Sequence, residues 1–84
     1  MNETLTGMGQ RIFSLRKKKG LTQEGLANLA GVSYQTISTA ELGKKALRPE
    51  NIVKLSQALG VSTDYLLTGK HNLIDQSLLN GKLS

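Results

Sequence analysis

The sequence predicts a small all-α domain of five helices, and three observations support this prediction. First, apolar residues recur three and four positions apart, as in Met8, Ile12 and Leu15, so that they share one helix face. Second, no stretch alternates apolar and polar residues for long enough to make a convincing strand. Third, glycine, proline, serine and threonine recur at short intervals, which is typical of short connections between helices.

Capping residues set the predicted helix boundaries. The hydroxyls of Thr22, Ser33 and Ser62 are suited to accept hydrogen bonds from the free N–H groups of a first turn. A glycine follows most of the helices, where a left-handed conformation ends them, and Pro49 suits a first helical position because it has no N–H. The predicted helices are Met8–Lys19, Gln23–Ala30, Tyr34–Leu42, Pro49–Leu59 and Thr63–Leu67.

The 84 residues predict a single folded domain with a short extension at each end. We assign residues 8–69 to the domain and residues 1–7 to a flexible N-terminus. Residues 70–84 form a tail, in which Ile74 and Leu78 lie one helical turn apart. This tail is interpreted as a short helix, a frayed end, a dimer contact or a linker, and the sequence does not separate these alternatives.

Composition argues against several classes of protein. The chain has no cysteine and one histidine, His71, so disulfides, metal sites and cofactors are not expected. No apolar run is long enough to span a membrane, and the polar N-terminus lacks a signal pattern, which predicts a cytoplasmic protein. No nucleophile with a base, paired carboxylates or phosphate-binding glycine loop is present, so we do not expect an enzyme.

Positive charge is concentrated in the middle of the chain. The formal net charge is +5, from 11 basic and 6 acidic residues. Residues 11–48 contain eight of the basic residues but only two acidic ones, Glu24 and Glu41. This distribution favours a polyanionic partner, although Lys17 to Lys19 alone are equally well explained as a solvated helix end stabilised by the helix dipole.

The segment from Gln23 to Leu42 carries the most informative spacing. With Gln23 as the first position, Ala27 is the fifth, Gly31 the ninth and Ile37 the fifteenth. A small residue is needed where two helices cross closely, a glycine supplies the positive φ of the turn, and Ile37 anchors the second helix to the core. This spacing is that of a helix-turn-helix, which leaves one face of the second helix free to enter a major groove.

The chain resembles the lambda-repressor-like family, also called the XRE type. The resemblance is carried by RIFSLRKKKGLTQEGLANLAGVSYQTIS, by ELGKK and by LSQALGVSTDYLL, in the order that the family has them. It covers roughly residues 8–69 and is strongest toward the DNA-binding domains of lambdoid phage repressors. It implies a compact five-helix bundle that contains a helix-turn-helix and binds specific double-stranded DNA.

The resemblance also implies roles for individual residues. The start of the recognition helix would read bases, and Gln35 is the best candidate because glutamine pairs with adenine in a bidentate manner. Gln23 resembles a glutamine that bonds a phosphate and braces the recognition helix, and Arg16 and Glu41 occupy positions of a structural ion pair. The implied base-reading residues are Tyr34, Gln35, Ser38 and Thr39. The implied phosphate-binding residues are Thr22, Gln23, Ser33, Lys44, Lys45 and Arg48.

Three positions depart from the family pattern. Thr39 replaces a longer polar or basic side chain, which predicts fewer direct base contacts. Ala40 is smaller than the usual apolar residue, which predicts a slightly loose core. Leu42 replaces a usually polar or basic residue, and the sequence leaves open whether it is an isolated exposed residue or part of a dimer contact.

The function that this resemblance implies is that of a homodimeric transcription regulator, a phage or bacterial repressor on a two-fold symmetric operator. Alternatives are an antitoxin that represses its own operon and a restriction–modification controller protein. A further protein partner or an additional C-terminal domain also remains open. The candidate dimer contacts lie in the fifth helix and the tail, at Leu66, Leu67, Leu73, Ile74 and Leu78, although Leu66 and Leu67 are also suited to close the bottom of the core.

Overall fold

The computed structural model describes residues 3–70, and all of its regular structure in this range is helical. The helices are α1 (Glu3–Lys18), α2 (Gln23–Ala30), α3 (Tyr34–Leu42), α4 (Pro49–Leu59) and α5 (Thr63–Thr68). The predicted all-α class and the bounds of α2, α3 and α4 are confirmed. The tail residues His71, Leu73, Ile74, Leu78 and Leu79 lie outside the described residues.

The predicted start of the first helix at Met8 was wrong, because α1 already begins at Glu3. Residues 3–7, which were assigned to a flexible N-terminus, therefore belong to this helix. Leu5 packs against the core beside the buried Met8, and such tertiary packing outweighs the low helix propensity of Gly7 and Gly9. The fifth helix also extends one residue beyond its predicted end, to Thr68.

Side-chain caps hold the starts of three helices, as predicted. Thr22 Oγ1 accepts a hydrogen bond from the Gly25 N–H at 2.9 Å. Ser33 Oγ accepts from the Thr36 N–H at 3.1 Å, and Ser62 caps α5 in the same way. Each cap satisfies a first-turn N–H that has no partner within the helix, which fixes where each helix begins.

One hydrophobic core joins all five helices. Its fully buried members come from every helix and include the predicted anchor Ile37. The turn between α2 and α3 brings these helices onto this core, and its Gly31 has a φ of 76°, which confirms the predicted left-handed residue. The buried core residues are Met8, Ile12, Leu26, Ala27, Ile37, Ala40, Leu55, Leu59 and Leu66.

Helices α1 and α3 approach each other closely at Gly9. A Cβ atom built on Gly9 would lie 2.4 Å from the carbonyl oxygen of Ala40 and 2.8 Å from that of Glu41. Gly9 and Ala40 are both buried, so two small residues meet where the two helix backbones are nearest. This contact is made by the carbonyl oxygen of Ala40 and not by its side chain, so the slightly loose core expected from the small size of Ala40 stays a prediction.

The structure corrects one candidate dimer contact. Leu66 has no exposed surface and belongs to the core of its own chain. The Nε–H of Arg11, on α1, donates to the carbonyl oxygen of Leu66 at 2.9 Å and ties α5 to α1. Leu67 is partly buried against the same core. A helix as short as α5 has to turn its leucines inward to be held in place, which removes Leu66 from any interface.

Within residues 3–70, none of the helices is long and apolar enough to cross a membrane.

Candidate nucleic-acid interface

Helix α3 presents its outer face between two surface grooves. Ile37 and Ala40 point into the core, while Tyr34, Gln35 and Leu42 are exposed. Because residues three, four and seven positions apart share a helix face, the exposed stripe of α3 runs from Gln35 toward Leu42, opposite the buried stripe. This arrangement leaves the outer face of α3 open to a large ligand.

The first groove lies between α3 and the loop that follows it. It has a volume of about 330 Å³ and combines hydroxyl, amide and cationic side chains. Gln35 lines it together with Lys45 and Arg48, so a predicted base-reading residue and two predicted phosphate-binding residues are brought together. Its lining residues are Ser33, Gln35, Thr36, Thr39, Lys45, Ala46, Leu47, Arg48 and Asn51.

The second groove lies on the other side of α3, toward the N-terminus of α2. It has a volume of about 470 Å³ and is lined by Arg16, Thr22, Gln23, Glu24 and Tyr34. Tyr34 therefore lies with the predicted phosphate-binding pair Thr22 and Gln23 and does not line the groove of Gln35. The predicted base-reading residues thus divide between the two sides of the helix.

The loop cations are exposed. Within residues 3–70, neither Lys44 nor Lys45 forms an ion pair with an acidic side chain. Arg48 Nη1 lies 3.9 Å from a carboxylate oxygen of Glu50, and both side chains are mostly exposed. An exposed ion pair at this distance contributes at most about 1 kcal/mol, so it leaves Arg48 free to exchange Glu50 for another anion.

Thr39 differs from the other predicted base-reading residues because its hydroxyl is engaged within α3. Thr39 Oγ1 donates to the carbonyl oxygen of Gln35 at 2.9 Å. A threonine bonded in this way still has lone pairs but its hydroxyl hydrogen is already used. Ser38 is half-buried on the same helix. Gln35 is exposed, and its side-chain amide carries both a donor and an acceptor group.

A hydrogen-bonded cluster of three side chains fixes α3 to the preceding helices. Arg16 Nε donates to Glu41 Oε2 at 2.6 Å and Arg16 Nη2 donates to Glu41 Oε1 at 3.1 Å. Gln23 Nε2 also donates to Glu41 Oε1, at 3.0 Å. The predicted ion pair of Arg16 and Glu41 is therefore present, and it links α1, α2 and α3 through one carboxylate.

This cluster is largely shielded from water. The side chains of Arg16 and Glu41 are 9% and 6% exposed. The hydrogen bond to Glu41 raises the pKa of Arg16 above its ordinary value and outweighs burial, which alone would lower it. The Phe13 ring centroid lies 5.2 Å from Arg16 Cζ, a cation–π distance. Phe13, which is itself about half exposed, therefore covers the guanidinium.

Two polar residues of the first groove were missed by the sequence analysis. Thr36 lies on α3 with its hydroxyl oxygen 2.8 Å from Ser33 Oγ. Asn51 lies in the first turn of α4, four positions before the buried Leu55. A polar residue on an otherwise apolar stripe was the available signal for Asn51. No comparable signal marks Thr36, since threonine is common near helix starts.

Comparison with known proteins gives consistent matches across this region. The helix-turn-helix family model HTH_3 matches residues 12–66. The SPβ prophage-derived HTH-type transcriptional regulator YonR of Bacillus subtilis is 39% identical over 67 residues, which are 80% of this chain and 62% of that protein. Repressor protein C2 of Salmonella phage P22 is 44% identical over 62 residues, 74% of this chain but 29% of the repressor. The chain thus spans less than two thirds of either relative.

Solved structures match with similar coverage. The C2 repressor of phage P22 in complex with a synthetic operator has a TM-score of 0.72 and 43% identity, covering 75% of this chain and 96% of that chain. The restriction–modification controller protein C.AhdI of Aeromonas hydrophila has a TM-score of 0.70 and 39% identity, covering 74% and 94% of the two chains. Each likeness thus covers about three quarters of this chain.

Proposed function

We propose that this chain, which belongs to the XRE-type helix-turn-helix family of DNA-binding transcription regulators, binds a two-fold symmetric operator as a homodimer and represses transcription in the cytoplasm. The observation that carries the proposal is the exposed outer face of α3, with Gln35 and two loop cations on one groove. A helix fits the major groove of B-DNA, where each base pair presents a distinct pattern of donors and acceptors.

Within the proposal, Gln35 is the main base-reading residue. Its exposed amide would pair with the N6 and N7 atoms of an adenine. Ser38 and Thr39 would read bases through accepted hydrogen bonds or water. Tyr34, which shares a groove with Thr22 and Gln23, would donate to a phosphate and so contribute position instead of sequence.

The proposed phosphate contacts lie on both sides of α3. Lys44, Lys45 and Arg48 would neutralise phosphates on the loop side, and Thr22, Gln23 and Ser33 would approach phosphates near the helix starts. Glu41 holds the amide of Gln23 in place, which would orient its second N–H toward the backbone of the DNA. Such contacts fix the register of the recognition helix without reading sequence.

Dimerisation follows from the small size of the recognition surface. One copy offers one short helix, whereas two copies related by a two-fold axis double the base contacts on half-sites about 10–10.5 bp apart. Leu67 remains the one described residue of the predicted dimer contact that is not fully buried. The other residues proposed for this contact, Leu73, Ile74 and Leu78, belong to the tail.

A second candidate is a restriction–modification controller, which the likeness to C.AhdI favours. Both candidates bind DNA through the same surface, so the interface does not separate them. The genes beside the coding sequence do: a neighbouring endonuclease and methyltransferase pair would support the controller, and a prophage setting would support the repressor.

The test is selection of bound duplexes from a randomised library at roughly 0.15 M salt, followed by sequencing. We expect a two-fold symmetric consensus. Gln35→Ala should lower affinity for that consensus by about 1–3 kcal/mol and leave binding to random duplexes nearly unchanged. Gln57→Ala, the same change at an exposed position of α4, is the matched control. An equal loss on every sequence would remove Gln35 from the base-reading residues.

A further inference from the structure

Leu42 is an exposed leucine on the outer face of the recognition helix, and it has no role in the fold or in the contacts proposed so far. Leu42 is 57% exposed, although it ends a helix whose other leucine-sized apolar residue, Ile37, is fully buried. Leaving a large apolar side chain in water forgoes the free energy of its burial. Leu29 on α2 is exposed to the same degree, and single exposed apolar residues are common on protein surfaces, so what distinguishes Leu42 is its position on the outer face of α3.

The position of Leu42 on α3 relates it to Gln35. With 3.6 residues per turn, a residue seven positions further along lies about 20° away around the helix axis. Leu42 consequently continues the stripe of Gln35 and lies opposite the buried Ile37 and Ala40. The rise of 1.5 Å per residue separates the two positions by about 10.5 Å, which is roughly three base-pair steps along a duplex.

The backbone at Leu42 is held rigidly. The Gly43 N–H donates to the Ala40 carbonyl at 3.0 Å and the Lys44 N–H donates to the Thr39 carbonyl at 3.2 Å, which together close the end of α3. A Cβ atom built on Gly43 would lie 3.1 Å from the Cα of Thr6, so α1 packs directly against this turn. Because the backbone is fixed in this way, the side chain of Leu42 can make a contact of defined geometry.

The charges around Leu42 distinguish between two possible partners, a second copy of this chain and a DNA duplex. Lys44 and Lys45 follow it directly, and both are exposed. A second copy of this chain docked through Leu42 would bring four lysines together without compensating acidic groups in the loop, which is unfavourable. A DNA duplex places its phosphates beside those lysines and, in the major groove, offers one apolar group, the 5-methyl of thymine.

We propose that Leu42 reads a thymine methyl in the major groove, roughly three base pairs from the base contacted by Gln35. This inference rests on the proposed DNA-binding function and adds a second specificity-determining residue to it. It predicts that the consensus contains a thymine whose 5-methyl, and not its hydrogen-bonding edge, is required.

Deoxyuridine provides the test, because it differs from thymidine only by the absence of that methyl group. Each thymine of the selected consensus is replaced in turn, in both half-sites, and the affinities of the parent protein and of Leu42→Ala are measured. For the parent, we expect one replacement to weaken binding by about fourfold per half-site, the factor for burying one methyl group. For Leu42→Ala, the same replacement should have no effect.

Leu29→Ala is the matched control, since Leu29 is an equally exposed leucine on α2, and it should retain the full sensitivity to deoxyuridine. Helical circular dichroism checks that both variants fold. One outcome of the selection is a consensus in which every deoxyuridine replacement affects the parent and Leu42→Ala equally. That result would overturn this inference and leave the proposed function intact. Weaker self-association of Leu42→Ala without DNA would also overturn it, in favour of a protein contact. Absence of any consensus would refute the proposed function and this inference with it.

Discussion

Replacing Gly9 by alanine should destabilise the domain, although alanine is the better helix former. In α1 the added methyl would lie 2.4 Å from the carbonyl oxygen of Ala40. A carbon and a carbonyl oxygen ordinarily approach no closer than about 3.3 Å, so α1 would have to move away from α3 by roughly 1 Å. Because the atom in the way belongs to the backbone of another helix, no side-chain rotation relieves the contact.

The magnitude follows from two opposing effects. Overpacking of this kind costs up to about 3 kcal/mol, and exchanging glycine for alanine within a helix returns up to about 1 kcal/mol. We therefore expect Gly9→Ala to lower the free energy of unfolding by about 2 kcal/mol, which corresponds to a decrease in Tm of roughly 8–16 °C for a domain of this size.

The assay is thermal and urea unfolding followed by circular dichroism, with Gly25→Ala as the matched control. A Cβ atom on Gly25 would meet only side-chain atoms, the nearest being Thr22 Oγ1 at 3.2 Å. Helices commonly carry residues larger than glycine at the third position after the N-cap, which is the position of Gly25 relative to Thr22. Exchanging this glycine for alanine should thus gain up to about 1 kcal/mol of stability. Because each kcal/mol corresponds to about 4–8 °C in a domain of this size, Gly25→Ala should raise Tm. An unchanged or higher Tm for Gly9→Ala would refute the close approach of α1 and α3.

Three further variants test the remaining arguments. Ala27→Leu should cost about 1–3 kcal/mol of stability through overpacking, and an unaltered urea midpoint would contradict the close packing of α2 at this position. Glu41→Gln should cost about 3 kcal/mol because it leaves the charge of Arg16 buried without its partner; a variant as stable as the parent in urea would show that the cluster is dispensable. Lys44→Ala should weaken binding to all duplexes and flatten the dependence of affinity on salt by about one unit, and an identical salt slope would exclude a phosphate contact.

The sequence was most informative for features that depend on residues only a few positions apart, such as helix caps and turns. The hydroxyls of Thr22 and Ser33 mark the starts of α2 and α3, because an N-cap satisfies N–H groups only three residues away. Gly31 marks the turn between them for an equally local reason, its positive φ. The spacing of these residues therefore predicted the helix-turn-helix and, with it, the surface that carries the proposed DNA contacts.

The sequence was misleading where distant segments meet. Residues 1–7 were assigned to a flexible N-terminus, yet α1 already begins at Glu3, and within it Gly9 meets the backbone of α3. Leu66 was expected in the core and also as a dimer contact, because a short amphipathic helix does not reveal which leucine its own core will bury. Propensity and periodicity describe one element at a time, whereas these outcomes depend on how two elements pack.

The sequence by itself determined the fold class, the family and the place of the helix-turn-helix, because repeating apolar positions, caps and a turn glycine act within a few residues of each other. Only the tertiary structure decided how the candidate interface is divided: Gln35 with Lys45 and Arg48 in one groove, Tyr34 with Gln23 in the other. It also decided that one carboxylate, Glu41, holds three helices together. These arrangements depend on distances between side chains from separate helices. The packing of the common core sets those distances, and a pattern within one segment of the sequence does not predict them.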